Sequence, residues 1–225
     1  MDHGTIGPII FGIVIALVVM WVSLKRYEGF FDEKTVFKSL IIGFFTGFLA
    51  FLIELITHNV GITFLVFFPF VEQFLKFLGI NLPSIRERRE IIIYGLVVGL
   101  GFGSIYMPMF VLLSLGIRNV NPLSLVGSLL IGTGYIFFHG GTGCMMGYGI
   151  SRSEKWRYLF YATLLGIPLP IFELSLTYID QVFVVVAMRI LESIYALAVF
   201  LVIYKRILPY ALPRRKRKGL NRSQH

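Results

Sequence analysis

Cysteine is nearly missing from this chain: Cys144 is alone among 225 residues. A single thiol excludes an internal disulfide and any cysteine-built metal cage. Its apolar neighbours disfavour a thiolate, so it reads as a small packing residue. Acidic side chains are also scarce, with 12 Asp and Glu against 21 Lys and Arg and a net charge of +9. Long polar stretches are missing too, which leaves no room for a soluble domain. What fills the chain instead is apolar side chains, 56% of all residues, and they fall in long blocks.

Seven blocks approach or exceed the ~20 residues that cross a ~30 Å hydrocarbon layer. They are Pro8–Leu24, Val36–His58, Ile62–Ile80, Glu90–Leu115, Pro122–Ile150, Tyr158–Tyr178 and Val182–Tyr204. Lipid offers no partner to an open backbone, so these blocks predict helices. The shorter alternating strands of a membrane barrel are not found. The expected fold is all-α: a polytopic membrane protein with a bundle of about seven transmembrane helices. Residues 1–210 form a single transmembrane domain, and 211–225 form a basic tail. The first block has no basic segment before it and is followed by Lys25 and Arg26, so it is expected to be a retained helix.

Charge then predicts orientation. Lys25, Arg26, Lys34 and Lys38 follow the first block, Arg86, Arg88 and Arg89 the third, and Arg152, Lys155 and Arg157 the fifth. Lys205, Arg206 and the run Arg214–Lys218 follow the last, whereas the opposite loops offer only Arg118. Positive residues stay on the cytoplasmic side, so the N-terminus is expected outside and the C-terminus in the cytoplasm. The basic excess is thus topology, with no nucleic acid implied. The tail is expected to touch anionic lipid at the plasma membrane.

Against this apolar background a few polar residues stand out. Pro69–Ile80 reads PFVEQFLKFLGI, with Glu72, Gln73 and Lys76 inside a membrane-length block. A buried charge there costs at least about 2.5–3.5 kcal/mol, so it needs a partner, water or a function. Glu72 and Lys76 are one turn apart and close enough to pair. The sharper expectation is that Glu72 faces a polar cavity and handles a proton or a water. Pro69 just before it predicts a kink or break.

The fourth block carries Gly95, Gly99, Gly101 and Gly103, a thin face for close helix approach, then Tyr106 and a kinking Pro108. The fifth holds His139 followed by Gly140, Gly141, Thr142 and Gly143, small residues expected to open space beside the ring. Counting from the cytoplasmic ends puts Glu72 at ~12 Å and His139 at ~16 Å depth, near one level. Glu54 and His58 sit near the outer end of the second block and are expected to reach water. Pro168 and Pro170 interrupt the sixth block before Glu173. Arg189 is expected to neutralise either Glu173 across the hairpin or Glu192 on its own helix.

The third to fifth blocks together resemble the PrsW family of intramembrane proteases, within the superfamily of CAAX prenyl endopeptidases. The family's EExxK is similar to Glu72-Gln73-Phe74-Leu75-Lys76. Its YGxxxGxGFxxxE resembles Tyr94-Gly95 through Gly99-Leu100-Gly101-Phe102 and on to Tyr106. Its histidine with a late GYG resembles His139 through Gly147-Tyr148-Gly149. The likeness covers residues 69–150.

By position, the resemblance implies that Glu72 is the general base for a water, with His139 beside it and Lys76 orienting the carboxylates. Gln73, Lys76, Phe102, Tyr106 and Thr142 would support them. The chain departs from the pattern at Gln73 and Tyr106, each standing where the family has glutamate. Gln73 keeps the shape and hydrogen bonds without charge. Tyr106 keeps a polar tip, but a phenol with an ordinary pKa of about 10 is no base near neutral pH.

Hydrolysis of a peptide bond needs an activated water and donors for the oxyanion. Glu72 and His139 would activate the water, with Tyr106 and Gln73 as donors. A catalytic zinc takes three protein ligands, and only Glu72 and His139 are evident as donors. The leading expectation is an intramembrane endopeptidase acting on a membrane or juxtamembrane protein or peptide. The alternatives are an inactive relative that binds transmembrane segments and a proton-coupled carrier relaying through Glu72, Lys76 and His139.

Overall fold

A computed structural model describes residues 3–57, 64–115, 122–176 and 181–212. Every apolar block forms a helical rod: α1 (His3–Leu24), α2 (Glu33–Thr57), α3 (Phe64–Ile80), the one-turn α4 (Pro83–Arg86), α5 (Ile91–Ser104), α6 (Tyr106–Leu115), α7 (Pro122–Ser151), α8 (Lys155–Gly166), α9 (Pro168–Leu176) and α10 (Val182–Arg206). No strand occurs among the described residues. His58, Arg118 and the basic run Arg214–Lys218 lie outside the described residues, as does the side chain of Glu173.

Two rods are broken, and proline explains both breaks. The ring of Pro108 removes a donor and crowds the carbonyl of residue 104, so the helix yields at Ile105, between α5 and α6. Pro168 opens α9 at a first-turn position, where its missing N–H is harmless, and the chain turns at Ile167. The Tyr195 hydroxyl of α10 donates to the Leu165 carbonyl at 2.7 Å, supporting the backbone at that break. Pro69 behaves differently from expectation: α3 runs unbroken through it. It lies in the second turn, where its absent N–H forfeits only one bond near the helix start.

Among the described residues, four stretches are long and apolar enough to cross a hydrocarbon layer: Ile10–Tyr27, Glu33–Thr57, Ile91–Val111 and Phe183–Ala211. The third is 94% buried and the others only 22–28%, so α5–α6 forms the centre and α1, α2 and α10 form its wall. The outward faces of that wall are apolar, with Trp21, Phe37, Phe45, Ile56, Phe183 and Val202 all largely exposed. So much exposed apolar surface on long helices is the mark of a membrane protein.

At the centre, glycines bring helix backbones into direct contact within a core of buried apolar side chains. Gly95, Gly99 and Gly103 recur every four residues along α5 and face α7. A Cβ on Gly99 would collide with the His139 carbonyl, and one on Gly103 would lie 2.6 Å from the Tyr135 carbonyl. Gly143 and Gly147 return the same contact from α7 onto Gly95 and Ile91. On the other side of α5, Gly101 meets α2 at Leu40 and Gly43, and Gly47 abuts the backbone of Phe102. Small residues let helix axes approach until dispersion contacts and weak backbone contacts replace side-chain interdigitation.

The basic connections gather at one end of the bundle. The backbone N–H of Asp32 donates to the Tyr94 hydroxyl at 3.1 Å, tying the α1–α2 connection to the start of α5. Phe77 stacks on Trp156, and Arg152 lies over Tyr148 and Tyr210, tying α3, α7, α8 and the chain after α10 together there.

Candidate functional site

The α5–α7 seam positions one wall of the site. Because Gly99 brings α5 against the backbone at His139, the imidazole is carried inward beneath the Phe102 ring, 4.7 Å between centroids. Tyr106, one turn beyond Phe102, stacks on the same imidazole at 5.5 Å. The opposite wall is α3, which presents Glu72, Gln73 and Lys76 on one face. Glu72 Oε1 lies 3.4 Å from His139 Nε2, within ion-pair reach but long for a hydrogen bond. All seven side chains singled out in the sequence, Glu72, Gln73, Lys76, Phe102, Tyr106, His139 and Thr142, meet in this one cluster. None is more than 2% exposed.

Lys76 does not take the partner its spacing suggests. Its Nζ donates to Gln73 Oε1 and to Thr142 Oγ1, each at 2.7 Å, rather than pairing directly with Glu72. The Phe102 ring lies 5.1 Å from the same ammonium, a cation–π contact in a desolvated setting. Thr142 accepts from Lys76 while donating its own proton back to the Phe138 carbonyl. Lys76 is therefore a clamp between α3 and α7.

The clamp has a chemical consequence for Gln73. With Oε1 engaged by the ammonium, the amide must turn its NH₂ the other way. Gln73 Nε2 has no hydrogen-bond partner, nor do Glu72 Oε1, Tyr106 Oη, His139 Nδ1 or His139 Nε2, and all are buried. Buried polar groups are nearly always satisfied, and each exception calls for an explanation. Five such atoms gather in this one cluster.

The glycines after His139 do not open space beside its ring. Gly140 packs under Leu100 of α5, Gly141 against Phe200 of α10, and Gly143 against α5 at Gly95 and Gly99. Their role is close helix approach, and the ring is lined by aromatics instead. Tyr135 and Phe138 complete that lining at 5.5 and 5.3 Å from the imidazole. Tyr135 was not singled out in the sequence, although it lies one turn before His139 on the same face. Glu54, expected to reach water, is half-buried on α2.

The donor set for a metal is Glu72 and His139. Among the described residues no group of three or more His, Cys, Asp or Glu forms. A catalytic zinc with its three protein ligands does not fit these residues, and no step is derived through one.

No family model, curated protein or solved structure matches the chain.

Proposed function

We propose that the protein is an intramembrane endopeptidase of PrsW type, hydrolysing a peptide bond in a membrane or juxtamembrane segment. The observation that carries this reading is the convergence of Glu72 and His139, from separate helices, on a buried point surrounded by unpartnered donors. The bundle spans the membrane with seven rods. Its basic end faces the cytoplasm by the positive-inside rule, which leaves the N-terminus outside.

The Glu72 carboxylate takes a proton from a water, whose oxygen attacks the peptide carbonyl carbon. As the C–O double bond opens, the oxyanion is met by Gln73 Nε2 and the Tyr106 hydroxyl, both buried and unpartnered. Glu72 hands that proton to His139, whose Nε2 lies 3.4 Å away, and His139 delivers it to the departing amine nitrogen as the C–N bond breaks, leaving an amine and a carboxylic acid that then ionises to solvent. Lys76 touches no reacting atom: it positions Gln73. The catalytic groups sit behind closed helices, and the end of α8 covers Gln73, with Gly166 against Pro69 and the Gln73 amide. A substrate therefore enters when α8–α9 moves off α3.

The test is cleavage of a panel of transmembrane peptides by the full chain in proteoliposomes, with products mapped by mass spectrometry. Cleavage that vanishes in Glu72→Gln and His139→Ala, with thermal stability retained, supports the reading. Peptide crosslinking without cleavage by the parent protein would replace it with a binding role. Proton flux dependent on Glu72 would replace it with a carrier.

A further inference from the structure

Away from the polar cluster, at the end of the bundle where α1 passes into α2, lies a cavity of about 700 Å³. Its floor is apolar: Met20, Trp21 and Leu24 from α1, and Val36 and Phe37 from α2. Its rim carries Lys25, Glu28, Glu33 and Lys34. Trp21 and Phe37 are 60% and 63% exposed, so the cavity opens along the lipid-facing side of two membrane-length helices. It therefore straddles the level where apolar surface gives way to charge, the level of phospholipid headgroups.

The rim is two cations and two anions, and no ion pair within 4.0 Å joins them among the described residues. Lys25 lies over the Trp21 ring at 5.2 Å, holding its ammonium above the apolar floor. The neighbouring acid, Asp32, is occupied: its Oδ2 accepts from the backbone N–H and the hydroxyl of Thr35 at 2.9 and 2.6 Å. The four rim charges are thus complementary to a headgroup that itself carries one phosphate and one ammonium, attached to an acyl chain. An anionic lipid would meet Glu28 and Glu33 without compensation, and a choline headgroup has no N–H to donate to them.

We infer that this cavity is a binding site for an aminophospholipid of the phosphatidylethanolamine type. Its phosphate is held by Lys25 and Lys34, its ammonium by Glu28 and Glu33, and one acyl chain lies along Trp21 and Phe37. The inference does not depend on the chemistry proposed for Glu72 and His139.

Native mass spectrometry of the full chain, delipidated and then titrated with phosphatidylethanolamine, phosphatidylcholine or phosphatidylglycerol of identical acyl chains, tests it. Phosphatidylethanolamine should be retained at least about fivefold better than either competitor, the scale of losing one charge-assisted hydrogen bond at a partly wet site. Lys25→Gln/Lys34→Gln should weaken retention of phosphatidylethanolamine and phosphatidylcholine alike, because both lose the phosphate contact, and should leave the preference between them standing. Glu28→Gln/Glu33→Gln should switch the preference to phosphatidylglycerol. In a Trp156→Phe background Trp21 is the sole indole, so quenching by brominated phosphatidylethanolamine reports on the site independently. Equal retention of the three lipids, an unchanged preference in the folded Glu28→Gln/Glu33→Gln variant, or undiminished retention in the folded Lys25→Gln/Lys34→Gln variant, overturns the inference. A preference for phosphatidylglycerol in the parent chain overturns it too, by assigning the rim to an anionic lipid.

Discussion

Glu72 and Glu192 are both buried carboxylates on apolar helices, each within a turn of a base, and the fold treats them in opposite ways. Glu192 keeps company on its own helix: Arg189 Nη1 lies 3.5 Å from its Oε2, and the guanidinium rests over Phe110. Glu72 has Lys76 four residues on, yet Lys76 reaches across to Thr142 and back to Gln73, while Glu72 meets His139 from α7. A charge neutralised within its own helix can be buried anywhere. One whose helix-mate is taken by a neighbouring helix depends on the tertiary arrangement, and the proposed chemistry uses Glu72 of this second kind.

The sharpest test of this contrast is rate. Glu72→Gln should lower cleavage by about 10²–10⁴-fold, the ordinary value of a positioned general base, whereas Glu192→Gln should leave the cleavage rate nearly unchanged. Equal losses in the two variants would erase the distinction. Next in size is Tyr106→Phe, expected to lower kcat by about 10²-fold as one oxyanion donor is removed. KM for the same peptide should stay nearly constant in that variant.

Stability should run the other way. Arg189→Leu strands a buried carboxylate and is expected to cost about 3 kcal/mol in detergent unfolding. Gly99→Ala should cost about 1–3 kcal/mol by overpacking and also slow cleavage, because the collision is with the His139 backbone. Gly127→Ala is the control: its nearest neighbours are side-chain carbons of Arg189 and Val186 at ordinary contact distance.

The smallest effect lies outside the membrane, at the start of α2. Thr35, through its hydroxyl and then its N–H, holds the Asp32 carboxyl below the usual aspartate range. A lowered folded-state pKa contributes stability that is complete above the ordinary value of about 3.9 and is lost as pH falls through the lowered one. Asp32→Asn should therefore remove the acid-side slope of unfolding below about pH 4 and leave the neutral behaviour of the fold nearly unchanged.

Much of the fold is legible along the chain because lipid-length apolar blocks admit only helices. The breaks at Ile105 and Ile167 follow from Pro108 and Pro168 by local sterics. Pro69 misleads, since a proline early in a helix removes so little that the rod continues. The site residues stand out as polar groups in apolar blocks, and that contrast suffices to name them. Their pairings do not follow: i,i+4 spacing favours Glu72 with Lys76, and only the position of Thr142 across the α3–α7 interface explains why the ammonium turns away. Tyr135 escapes notice because nothing local distinguishes one aromatic from its many neighbours.

By itself, then, the order of residues determined the rods, their two proline breaks and the thin glycine face of α5, because backbone satisfaction and steric size act within a few residues. Which side of α5 meets α7, which base serves which acid, and which buried donors stay unpartnered were settled only when the helices packed. Those outcomes depend on distances between groups far apart in the chain, such as Lys76 and Thr142, 66 residues apart, and no local preference encodes them.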